Sequence, residues 1–144
     1  FSHGEIVAHW DDDDWSAPYR LTEQVEFLER SQKAVVGYHT MRFTDGREWW
    51  FYRGIPRIPL GTSLCYRRDF AMAHPFPALQ AGEDNVFVSE ALYSRQIATM
   101  ECSEAMYATI HGNNTCMRKL DYSPPWEQIA AEEFVPVLPS PRQN

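Results

Sequence analysis

Apolar and polar positions along this chain fall into short blocks that switch between the strand period of two and the helix period near 3.6. Ile6, Val7 and Ala8 form an apolar run that predicts a buried strand over residues 5 to 10, delivering four consecutive carboxylates, Asp11 to Asp14, at its end. Leu21, Val25 and Leu28 recur at i, i+4 and i+7, which predicts a helix over residues 17 to 31 with these three on one apolar face, Ser16 as its cap and Pro18 in its first turn. A second strand is predicted over residues 34 to 38, and residues 40 to 43 and 48 to 52 flank Asp45-Gly46, a strong hairpin signal. Residues 54 to 60 read as an extended proline-rich connector, 62 to 66 as a strand and 68 to 73 as a short helix. Phe87, Val88, Ala91 and Leu92 have helical spacing behind the acidic start Glu83-Asp84, so a helix is predicted from residue 84 to residue 95. A late strand over 106 to 110 ends at His111, and the stretch 126 to 134 reads as a last helix after Pro124-Pro125. The whole is one α/β domain over residues 1 to 134 with a proline-rich extended tail over 135 to 144.

Composition narrows the function classes. A chain of 144 residues that is 44% hydrophobic can bury one ordinary core. No apolar run approaches the ~20 residues needed to cross a bilayer, so a soluble, cytoplasmic protein without a transmembrane segment is expected. Thirteen Lys and Arg against twenty Asp and Glu give a net charge of -7, which argues against nucleic acid or anionic lipid as a partner. The three cysteines, Cys65, Cys102 and Cys116, have no CxxC spacing and read as reduced thiols. The first residues lack an initiator Met and the shape of a signal peptide, and read as the cut end of a longer protein. The glycines form no phosphate-cradling loop of the GxxxxGK type, which leaves a kinase reading without support.

The acidic run carries the strongest chemical signal. Four adjacent carboxylates beside an apolar strand repel one another, unless solvent, arginine or a cation offsets the charge. Hard divalent cations such as magnesium and manganese take oxygen ligands and share one or two protein carboxylates with substrate phosphates. Asp11 and Asp13, two apart on an extended end, can point the same way and serve such a site. The alternative is a solvated loop whose carboxylates favour the N-terminus of the following helix.

Three segments resemble one known family. The run from Gly4 to Leu21 with its HWDDDDWSAP core, followed by Gln24 and Val35-Val36-Gly37, resembles the middle of a family 2 glycosyltransferase of the GT-A fold. In that family a strand ends in an Asp-x-Asp motif, followed by another Asp, a Pro and a helix. The stretch from Gly61 to Arg68 resembles the family's next strand on the acceptor side, and Gly82-Glu83-Asp84 resembles its Glu-Asp motif. Order and spacing agree over residues 4 to 115. The family's N-terminal strands, which hold the nucleotide base and ribose, have no counterpart ahead of Phe1. The resemblance therefore implies the second part of a catalytic domain: a partial GT-A, Rossmann-like mixed sheet with flanking helices and a β-hairpin.

The implied reaction is transfer of a sugar from a nucleotide-sugar donor to a hydroxyl acceptor, with inversion and with manganese or magnesium as cofactor. By resemblance Asp13 is the principal metal ligand, Asp11 reaches ribose or metal, Asp84 is the catalytic base, and Glu83 contacts the acceptor or stays structural. His111, at a late strand end, is a candidate third ligand or diphosphate contact; a lone histidine is more often a surface residue. Arg67 suits a phosphate or sugar carboxylate, against the alternative of an ordinary ion pair. Trp49 can stack on a sugar ring or simply bury the hairpin. Two rival readings stand beside the transferase: a non-catalytic relative that keeps the cluster as a metal-binding or interaction domain, and a metal-dependent phosphoesterase or nuclease. The missing strands would leave an open sheet edge, for which a homodimer is the expected remedy.

Overall fold

The computed structural model describes residues 3–79, 81–102, 104–112 and 125–130. In chain order the strands are β1 (Ile6–Ala8), β2 (Trp15–Ser16), β3 (Val35–Tyr38), β4 (Thr40–Thr44), β5 (Trp49–Arg53), β6 (Cys65–Arg67), β7 (Ile97–Met100), β8 (Met106–Thr109) and β9 (Trp126–Ile129). The helices are α1 (Arg20–Ser31), α2 (Arg68–Ala73) and α3 (Glu83–Tyr93). The strands form two mixed sheets, ordered β1-β6-β3-β7 and β2-β8-β4-β5-β9.

The first sheet is covered on both faces, because successive side chains of a strand point to opposite sides. Val35, Leu64 and Tyr66 pack with Phe87, Val88 and Ala91 of α3. Val36 and Cys65 face the other way and meet Leu28 of α1, with Ile6, Ala8 and Val25 around them. The second sheet buries one face through Met41, Phe43, Trp50, Met106 and Ala108, closed over by Tyr38 and Cys102. Its hairpin has Thr44 opposite Trp49, with Gly46 at φ 88° and Asp45 Oδ1 accepting from the amides of Arg47 and Glu48. A positive φ of this kind is what glycine supplies without steric cost.

The predicted strand, helix and hairpin positions recur for β1, β3, β4, β5, α2, α3 and β8, and four expectations are corrected. First, α1 begins at Arg20 rather than residue 17. Trp15 and Ser16 pair with Tyr107 and Met106, and the Ala17 amide donates to the Ala105 carbonyl, so this backbone is committed to the sheet and Ser16 caps nothing. Second, the buried stripe of α1 is Arg20, Gln24 and Leu28, whereas Leu21 is 45% exposed. Third, Gly61–Ser63 is a 3-10 turn, and the strand predicted over 62 to 66 begins at Cys65. Fourth, residues 126 to 129 form a strand, not a helix. Trp126 sits opposite Tyr52, and its ring meets those of Phe43 at 5.0 Å and Tyr52 at 4.9 Å; this packing outweighs the local helical pattern. The rest of that predicted helix, and the tail over 135 to 144, lie outside the described residues. Strand β7 was not predicted; it runs parallel to β3 from Val35↔Ile97 to Tyr38↔Met100.

Candidate functional site

The acidic run crosses from one sheet to the other. It leaves β1 in the first sheet and enters β2 in the second, and each sheet supplies a group that receives it. From the first sheet comes the 3-10 turn ahead of β6, where Thr62 Oγ1 lies 2.7 Å from Asp11 Oδ2 and 2.6 Å from Asp14 Oδ2. From the second come the end of β8 and the residues after it. The Thr109 amide donates to Asp14 Oδ1 at 3.0 Å, and His111 Nε2 lies 2.7 Å from Asp13 Oδ2. A backbone bond from the Asp14 amide to the Asp11 carbonyl at 3.3 Å folds the run into a turn.

This arrangement explains how the fold tolerates so much like charge. Asp11, Asp12 and Asp13 remain exposed to water, and the half-buried Asp14 is met by two donors. Burial pushes the Asp14 carboxyl above its ordinary value; the Thr62 and Thr109 hydrogen bonds work against that shift, and Asp11 and Asp13 add to it. A hydroxyl carries one proton, so Thr62 donates to only one of its two carboxylate neighbours at a time.

Asp84 opens α3 and reaches the same turn. A Cβ built on Gly61 would fall 1.6 Å from Asp84 Oδ2 and 2.6 Å from its Cγ, so the Asp84 carboxyl lies against the bare backbone at the residue before Thr62. Its other oxygen accepts from the Asn85 amide at 2.9 Å. Beside it, Glu83 Oε2 is buried and has no hydrogen-bond partner among the described residues.

The other sequence-selected residues fall further away. Arg67 stands opposite Ile6 in the β1–β6 ladder, whereas the strand end that leads to the acidic run is at Ala8, opposite Cys65. Its guanidinium donates to Glu29 Oε1 of α1 at 3.0 Å, so Arg67 is not brought to the cluster. Trp49 meets the Tyr107 ring edge-on at 4.9 Å, and Tyr107 stacks on Trp15 at 5.4 Å. This ladder reaches the residue after Asp14 without entering the carboxylate cluster. Two residues absent from the sequence-based list belong here: Thr62, which joins Asp11 to Asp14, and Arg20, which donates to the carbonyls of His9 and Thr62. The available signal for Arg20 was its i, i+4 spacing with Gln24 in line with Leu28, a polar pair on the stripe that turns inward.

Among the described residues no three His, Cys, Asp or Glu side chains are grouped so as to hold a metal ion. Asp13 and His111 meet as a pair, and Asp11 is held separately by the Thr62 hydroxyl.

The model of the family described as Glycosyl transferase family 2 matches residues 1–97 of the 144. The chain belongs to glycosyl transferase family 2. Among solved structures, this family 2 chain is similar to S. aureus TarS 1-349 in complex with UDP-GlcNAc, at 20% identity and a TM-score of 0.59, over 79% of this chain and 37% of that one. The same fragment in complex with UDP matches at 20% identity and a TM-score of 0.57, over 76% and 37%. TarS 1-349 without either ligand named matches at 22% identity and a TM-score of 0.56, over 75% and 36%. The family 2 chain thus spans little more than a third of these structures, and the likeness establishes the GT-A-like α/β fold. No curated protein matches it. Among the described residues no helix is long and apolar enough to cross a membrane.

Proposed function

We propose that this family 2 chain forms the metal- and acceptor-facing part of a glycosyltransferase that moves a sugar from a nucleotide-sugar donor to a hydroxyl acceptor with inversion. The observation that carries the reading is the convergence of Asp11, Asp13, Asp14 and Asp84 on the Thr62 turn and His111, at the junction of the two sheets. In such a transfer the acceptor oxygen bonds to the anomeric carbon as the bond from that carbon to the diphosphate breaks. Asp84 takes the proton leaving the acceptor hydroxyl, as a general base held on Gly61. Glu83, next to it in the first turn of α3, contacts the acceptor or stays structural. Asp13 and His111, already paired, would hold manganese or magnesium, with Asp11 as a further candidate ligand. When bound, the ion supplies positive charge against the departing diphosphate. Thr62 keeps Asp11 and Asp14 from splaying apart under their mutual repulsion.

A second reading is a non-catalytic family 2 relative, a remnant that keeps the cluster as a metal-binding or interaction domain, in keeping with the lack of a three-residue metal group among the described residues. Calorimetric titration with manganese and uridine diphosphate, on the natural sequence and on Asp13→Ala, separates the two. Manganese-dependent nucleotide binding that is lost in Asp13→Ala supports the transferase site. Manganese binding without nucleotide supports the remnant. Binding of neither returns the acidic run to a solvated loop.

A further inference from the structure

Arg20 is 1% exposed, which places it among the most buried side chains of the fold. Its NH2 group donates to the His9 carbonyl at 2.9 Å and to the Thr62 carbonyl at 3.2 Å, NH1 donates to Ser16 Oγ at 2.8 Å, and Nε to Gln24 Oε1 at 3.3 Å. The Trp10 ring covers the guanidinium, with Cζ 5.0 Å from the ring centroid. Gln24, one helical turn further on, donates to the Ser63 carbonyl at 2.6 Å. The two residues before the acidic run and two consecutive carbonyls of the Thr62 turn therefore rest on one polar patch of α1.

Among the described residues Arg20 makes no ion pair with a carboxylate. A buried cation without a paired anion is costly, and a tightly packed apolar side chain would fill the same space at lower cost. What an apolar side chain cannot do is hold carbonyls of two separate loops at a set spacing. A lysine could supply the charge, but its compact ammonium lacks the planar fork that spans His9, Thr62 and Ser16 together.

We infer that Arg20 is a positioning residue: its fork fixes the acidic run against the Thr62 turn and so sets how Asp11 and Asp14 meet Thr62. The inference deepens the transferase reading and rests on it for the ligand, a divalent cation, but not for the positioning itself. Two readouts keep these apart. Hydrogen exchange at the Thr109 amide reports the bond to Asp14 whether or not a metal binds, and manganese titration reports the site.

In Arg20→Gln the Thr109 amide is expected to exchange about 10-fold faster or more while the β3 amides keep their protection, and manganese affinity to fall about 10-fold or more. Arg20→Lys is expected to restore neither. Wild-type behaviour in Arg20→Lys, equal acceleration at Thr109 and throughout β3, or unchanged exchange in Arg20→Gln would each overturn the inference. If the natural sequence binds no manganese, the ligand reading fails, and Thr109 exchange still decides the role of Arg20. If Arg20→Gln does not fold, Trp10→Leu decides. Its ring is 53% exposed, so the fold should survive: faster Thr109 exchange upholds the inference, and wild-type exchange defeats it.

Discussion

Replacing Gly61 by alanine tests whether Asp84 is held by the 3-10 turn. The added methyl would fall 1.6 Å from Asp84 Oδ2, 2.6 Å from Cγ and 3.0 Å from Cβ, so the carboxyl must swing aside and the Cβ contact must still be relieved. Gly61 has an ordinary backbone conformation, and the effect is therefore steric rather than conformational. Overpacking of this kind costs about 1–3 kcal/mol; because the carboxyl is the free end of a short side chain, the lower end is expected, a fall in Tm of a few degrees. On the proposed reaction, with Asp84 as the base, the effect on rate should be larger, since a displacement of about 1 Å at a reacting group can cost ~100-fold. A double-mutant cycle isolates the contact. In an Asp84→Ala background the two closest atoms are gone, so Gly61→Ala should lose most of its penalty, with a coupling of about 1 kcal/mol by thermal or urea unfolding. An equal penalty in both backgrounds would refute the steric account and remove the reason for placing Asp84 at this turn.

Thr62→Val removes the hydroxyl shared by Asp11 and Asp14; a loss of about 1–3 kcal/mol by urea unfolding is expected, together with weaker manganese binding, and unchanged values of both would show that the bridge is dispensable. The Cys65 and Cys102 thiols are pushed up by burial to about 11 from an ordinary 9.0. Their contribution is complete below pH 9 and is lost as pH rises through about 11, because the unfolded chain ionises first; stability measured by urea unfolding should fall over that interval. Peptide mapping after alkylation at pH 8 should find both thiols unlabelled in the native protein and labelled in urea. Nothing among the described residues pairs with the outer edge of β1. A second copy covering that edge predicts a dimer by light scattering, and a monomer at all concentrations would exclude it.

Much of the scaffold was legible because local pattern and tertiary demand coincide in it. Asp45-Gly46 specifies the hairpin, and the acidic start at Glu83-Asp84 marks the beginning of α3. The misreadings lie where distant strands decide the conformation. Ser16 has the chemistry of a cap, but Met106, ninety residues away in sequence, claims its backbone for the sheet. Trp126 follows a proline pair like a helix start, but Phe43 and Tyr52 offer it a strand's place. Within the site, the carboxylates were visible as a run and His111 as a candidate beside them, whereas the receivers of Asp11 and Asp14 were not. Thr62 and Thr109 become partners of Asp14 only when both sheets exist, and Arg20 looks like any charged residue of a helix surface until the helix rotates it inward. Arg67, which the sequence recommended by its guanidinium and its place after the Gly61-Thr62-Ser63 segment, is instead carried to the opposite end of the ladder.

Strand β3 ends at Tyr38 and β4 begins at Thr40, so at this crossing between the two sheets the link is the single residue His39. That residue is fastened on both sides, its amide to the Met100 carbonyl at 3.1 Å and its carbonyl to the Gly54 amide at 2.9 Å. A crossing this short leaves no slack for the sheets to part and close like jaws around a substrate. With the sheets tied here, freedom to adjust to a ligand falls to the loops at the junction, residues 9 to 14 and 54 to 64.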